Sequence, residues 1–234
     1  MFVAGAVCPH PPMLVPQIAA GATDLDALRA ASLLAVGRIL DVHPDRVVLV
    51  GGGPEQATFG HGAVADFSAY GVDLHITLGQ AGQQSSQVPL PLSLCVGAWL
   101  LAEVGYAADV TAIAVPDGCS SAQANALGQS LMGSHESVAI LALGDGSARR
   151  TPAAPGYVDA RAVEFDRRVS TALAKADSEA LLAIDEALAA QLMCAGRPSW
   201  QVLAGAAAGA VTHAELLYDD APLGVGYFVT TWST

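Results

Sequence analysis

The chain has 234 residues, is 53% hydrophobic and only 14% charged, and carries a formal net charge of −12. That balance argues against nucleic acid or an anionic membrane as a partner, and no run approaches the roughly 18 apolar residues of a membrane span. No basic region precedes the first apolar run, so no signal peptide is expected; Cys8, Cys95, Cys119 and Cys194 form no CxxC pair and suit reduced thiols in a cytoplasm.

Phe2 to Val7 is a short apolar run that predicts a buried strand. Cys8-Pro9-His10-Pro11-Pro12 stops it and stiffens the turn. His10 is therefore held at a strand end, where open α/β sheets build their sites. Its imidazole suits metal binding or proton transfer, although a solvated turn histidine reads the same way in isolation. Thr23-Asp24 is placed to cap a helix from Leu25 to Leu40. Arg46 to Val50 predicts a strand covered on both faces, ending in Gly51-Gly52-Gly53-Pro54, with Glu55, Gln56 and His61 beyond.

Leu74 to Leu78 predicts a short strand and Gln80 to Gln87 a polar loop. An apolar helix follows from Leu92 to Val104, then a strand from Val110 to Val115, a helix from Ser121 to Met132, and a strand from Ser137 to Leu143 closed by Gly144-Asp145-Gly146-Ser147. Apolar strands alternating with helices predict a largely parallel central sheet sandwiched by helices. Helices are expected over Asp159 to Ala174, Ser178 to Met193 and Trp200 to Ala210, and a C-terminal hairpin from Glu215–Tyr218 and Val225–Thr231. No linker or repeat divides the chain, which reads as one domain, 1–234.

The glycine turns lack the GxGxxG spacing, the Gly-Lys-Ser/Thr ending of a P-loop and a GxSxG elbow. Each alone reads as a tight turn, but their shared place at strand ends suggests one crevice. Asp145 is a candidate site carboxylate or a turn former. Arg149 and Arg150 are candidates to bind an anionic substrate, or surface residues. Cys194 reads alone as a small buried hydrophobe. His43, His75, His135 and His213 read as surface or structural.

Ala6 to Pro16, with its Cys-Pro-His-Pro-Pro turn, resembles the opening of the class III extradiol ring-cleavage dioxygenase (LigB-like) family. Val47 to Gly53, Ile140 to Gly146 and Met193 to Pro198 are similar in arrangement, the last to the related Memo proteins. The resemblance implies an α/β sandwich and an iron held by two histidines and a carboxylate, where catecholate and dioxygen meet. Carried onto this chain, His10 matches the first ligand. The second-ligand turn reads Gly53-Pro54-Glu55-Gln56, leaving Glu55 or His61 as substitutes. The third falls near Cys194, whose thiolate would favour zinc or copper over oxygen-activating iron. Where an acid/base histidine is implied, Ser147-Ala148-Arg149-Arg150 stands instead. Ordinary ring cleavage is therefore not expected. The expectation is a diverged LigB-like protein with a small-molecule crevice around His10, with or without a divalent metal (Fe2+ or Zn2+), and with scope for a homo-oligomer. The alternatives are a non-catalytic binding or scaffold protein and a metal-free hydrolase or transferase.

Overall fold

The computed structural model describes residues 1–79, 89–108, 110–133 and 135–234. Its strands are β1 (Phe2–Cys8), β2 (Arg46–Gly53), β3 (Ala57–Phe59), β4 (Val64–Asp66), β5 (His75–Thr77), β6 (Val110–Pro116), β7 (Val138–Leu143), β8 (His213–Asp220) and β9 (Tyr227–Ser233). The helices are α1 (Pro16–Ala19), α2 (Asp26–Asp41), α3 (Leu92–Glu103), α4 (Ser121–Ser130), α5 (Ala162–Ala174), α6 (Ser178–Leu182), α7 (Glu186–Gln191) and α8 (Arg197–Ala207). Seven strands form one sheet in the order β3-β6-β2-β7-β1-β9-β8. The four apolar strands β6, β2, β7 and β1 run parallel, while β3, β9 and β8 add antiparallel edges. The mostly parallel sheet and the closing hairpin are those expected from the sequence.

Alternation along each strand splits the core in two. Ala6, Leu49 and Leu141 face α2 and α3. Val7, Val48 and Ile140 face α4, α5 and α8. Helix α3 has nine buried residues, which is why its sequence shows no polar stripe. Helices α4 and α8 cross closely: a Cβ at Gly128 would strike the Val202 carbonyl, and one at Gly205 would meet Asn125. Among the described residues no helix is long and apolar enough to cross a membrane.

Several expected boundaries move. The helix expected from Leu25 with a Thr23-Asp24 cap starts at Asp26, and no side chain caps it; the Thr23 backbone carbonyl accepts the Asp26 N–H (3.0 Å). The helix expected over Ser178 to Met193 is two. The Asp185 carboxylate accepts the Leu188 N–H (2.9 Å), starting α7 afresh. The helix expected from Asp159 starts at Ala162, because Asp159 is turned back onto the N–H and guanidinium of Arg161. The last helix begins at Arg197, earlier than expected, with Pro198 in its first turn. Strand β5 pairs with β4 in a separate two-stranded sheet, and β3 lines an edge; neither β3 nor β4 is expected from the sequence. The polar loop expected at Gln80 to Gln87 lies outside the described residues.

Candidate site at the carboxyl ends of the central strands

In Pro9-His10-Pro11-Pro12 only His10 has a backbone N–H. The structure gives that donor a carboxylate: it donates to Asp145 Oδ1 at 2.8 Å. The imidazole follows, with Nδ1 3.6 Å from the same oxygen and the two side chains 14% and 17% exposed. Nδ1 is buried and has no other partner. Both residues sit just past strand ends, His10 after β1 and Asp145 after β7, and β1 and β7 are neighbours. The chain leaves β1 for α2 on one face of the sheet and leaves β7 for α5 on the other. Adjacent parallel strands whose connections part in this way mark the position where α/β sheets place their ligand sites.

The Asp145 loop is anchored from several elements. Gly144 donates to the Cys8 carbonyl (2.9 Å), Gly146 to that of Gly226 (2.7 Å), and Gly226 back to that of Ser147 (2.9 Å). Ser147 donates twice to the buried Asp166 of α5, from its backbone N–H to Oδ1 (2.8 Å) and from its hydroxyl to Oδ2 (2.7 Å). Arg150 Nε stands 3.8 Å from the same carboxylate. Gly226 must lack a side chain, since a Cβ there would enter that carboxylate. Burial pushes the Asp166 carboxyl up to about 6, and the negative charge of Asp219 adds to this, against the Ser147 hydrogen bonds and Arg150 that favour the charged form.

Tyr227 opens β9 beside this loop. It follows Gly226, whose carbonyl and N–H bond Gly146 and Ser147 of that loop. Tyr227 is 2% exposed. Burial, then the Asp145 carboxylate and Tyr218, hold its phenol well above the usual range, so it stays neutral and able to donate.

The other expected site residues lie as follows. Cys194 is buried, its thiol donating to the Asp145 carbonyl at 3.6 Å, beside the Gly196 N–H that donates to the same oxygen. It touches the loop's backbone, not the imidazole. Burial first, then the charge of Asp166, pushes this thiol up to about 12, so it keeps its proton. Glu55 is exposed in the turn between β2 and β3. His61 lies in the turn before β4, its ring against Gly79. Arg150 faces Asp166, and Arg149 holds a buried Nε with no hydrogen-bond partner. The structure thus brings together His10, Asp145 and the backbone next to Cys194. Among the described residues no three His, Cys, Asp or Glu side chains are grouped so as to hold a metal ion. The donor set implied by the LigB resemblance therefore does not fit a three-ligand metal centre as it stands.

Ser147, Asp166 and Tyr227 go unread in the sequence. Ser147 and Asp166 meet across 19 residues; a glycine precedes Ser147 and another precedes Tyr227, while Asp166 carries no local signal. The cavity of about 770 Å3 between α5 and α6–α7 is elsewhere, and His10 is not in its walls.

No protein-family model matches the chain, and no curated protein sequence does. Among solved structures, the chain is similar to the crystal structure of the uncharacterized protein JW3007 from Escherichia coli K12. The TM-score is 0.62 at 11% identity, over 99% of this chain and 100% of that one. At that identity the likeness shows a shared fold.

Proposed function

We propose that this is a diverged LigB-like protein that binds a small molecule at the crevice between β1 and β7 and moves a proton there through His10. The observation that carries the reading is the His10–Asp145 pair at the point where the connections of two neighbouring strands diverge. Asp145 faces Nδ1, which favours a proton on that nitrogen and leaves Nε2 as the acceptor toward a ligand. The same carboxylate accepts the His10 backbone N–H and so holds the residue that would take a proton at Nε2. Tyr227, held neutral, supplies a hydrogen-bond donor to the oxygen that loses that proton. The LigB resemblance makes a phenolic hydroxyl the first group to try. Any divalent metal would have to bind with fewer protein donors than that family uses, and no step here depends on one. A cytoplasmic setting and a homo-oligomer belong to the same proposal.

The test uses 4-nitrocatechol, whose absorbance reports its ionisation. Wild-type protein should bind it and shift it toward the anion. His10→Ala should abolish the shift, and Asp145→Asn should weaken it about tenfold or more, with metal content unchanged in both. Binding unaffected by His10→Ala would sink the proposal. Binding without turnover of any phenol, aerobically or iron-loaded, would assign the crevice to a binding protein rather than an enzyme.

A further inference from the structure

We propose that the groove between α5 and α6–α7 is a second, separate site, built for a free long-chain carboxylate with its head on Lys175. This does not rest on the His10 reading. At about 770 Å3 the groove falls within the size range of small-molecule pockets. Its floor is Phe165, Val169, Ala172, Ile184 and Leu188. Phe165 and Val169 are only 7% and 2% exposed, so the open apolar surface is mainly that of the half-buried Ile184 and Leu188. So small an open apolar surface suits one flexible aliphatic chain better than a docking helix, roughly 10 Å across with its side chains.

The charges choose the head group. Four of the ten basic residues of this acidic chain line the groove: Arg161, Arg167, Arg168 and Lys175. Arg161 is engaged by Asp159 and Gln191. Arg167 and Arg168 both close on Glu164, at 2.7 and 2.8 Å. The other two carboxylates of the lining, Asp177 and Asp185, cap helices through the Ala180 and Leu188 N–H, each at 2.9 Å, and keep their charge, so four cations face three carboxylates. Lys175, the single lysine of the sequence, closes the C-terminal end of α5. It has no ion-pair partner among the described residues. An apolar groove with one uncommitted ammonium at its end is complementary to a tail carrying one negative charge.

Isothermal titration of the full chain with dodecanoate, below its micelle concentration, should show one saturable site. Lys175→Gln should weaken it about tenfold, the loss of one charge-assisted contact. Ala183→Trp, at an exposed wall position, should block it; both variants should melt as the wild type does. Dodecyltrimethylammonium, with the same tail and opposite charge, should not bind. Absence of dodecanoate binding, equal binding by both variants, or equal binding of the cation would each overturn the site. So would co-sedimentation with phosphatidylglycerol vesicles in a protein that takes up no free dodecanoate, which would mark the face as a membrane contact instead.

Discussion

The Asp145 loop and the α5–α7 groove lie on either side of one helix and are held by opposite means. On its inner side α5 offers Asp166, 1% exposed, to a serine 19 residues away, and so fixes the loop that fixes His10. On its outer side it offers Glu164 to Arg167 and Arg168, three and four residues away and in solvent. The inner contacts are few, long-range and desolvated; the outer ones are local and screened. A side-chain carboxylate therefore carries very different weight at two positions within one turn of helix: a buried acceptor whose donors cannot reach water is costly to remove, whereas exposed ion pairs contribute little.

The largest expected effect tests that contrast directly. Asp166→Ala leaves the Ser147 N–H and hydroxyl buried without an acceptor and should cost roughly 2–4 kcal/mol in urea unfolding. Asp166→Asn keeps one oxygen for one of these donors and should cost less. Glu164→Ala should leave the urea midpoint where it was. Equal losses from Asp166→Ala and Glu164→Ala would erase the distinction between the two sides of α5.

Next in size is the pH dependence, where the two sides should differ in sign. The Asp166 carboxyl is raised from 3.8 to about 6, so between those values the folded state binds more protons than the unfolded one. Its contribution is fully present below about pH 4 and is lost as pH rises through about 6, on the order of 3 kcal/mol in all. Glu164 and Asp159 are held below the usual carboxylate range by hydrogen bonds from their arginine partners. The small contribution they make is present above that range and lost as pH falls below it, through their lowered folded values. The difference in urea midpoint between Asp166→Asn and wild type, followed from pH 4 to 7, isolates the inner term. The wild type should lose stability relative to the variant as pH rises, and a flat difference would show that Asp166 titrates normally.

The sequence discloses these regions unequally, for the same reason. The four parallel strands are legible because they are apolar on both faces, and the prolines announce that His10 sits at a strand end. That much places one residue of the site and, through the glycine turn after β7, a second. Tyr227 and Asp166 cannot be read this way. Tyr227 matters because an antiparallel strand begins beside the end of a parallel one, and Asp166 looks like any acid on an amphipathic helix until Ser147 is folded onto it. Strands β3 and β4 are three residues each, too short for a period of two to stand out. Cys194 shows the converse: the segment is where the resemblance places a ligand, but burial keeps the thiol protonated against a carbonyl.

The smallest expected effect concerns the one place where helical periodicity misleads. Ser178 to Met193 has the apolar spacing of one helix, yet Asp185 divides it by taking the Leu188 N–H. Asp185→Ala removes a cap that is typically worth about 1 kcal/mol, but it also puts the best helix former between Ile184 and Glu186. The two effects oppose, so the net change in the unfolding midpoint should be under about 1 kcal/mol, while far-UV circular dichroism gains helix as α6 and α7 join. Joining them straightens the wall that carries Ile184 and Leu188, so the same variant should weaken dodecanoate binding more than it weakens the fold. A variant that loses stability without gaining helix would mean that packing against α8, through Leu181 and the Gln201 amide that donates to its carbonyl, sets the break and the cap merely follows it.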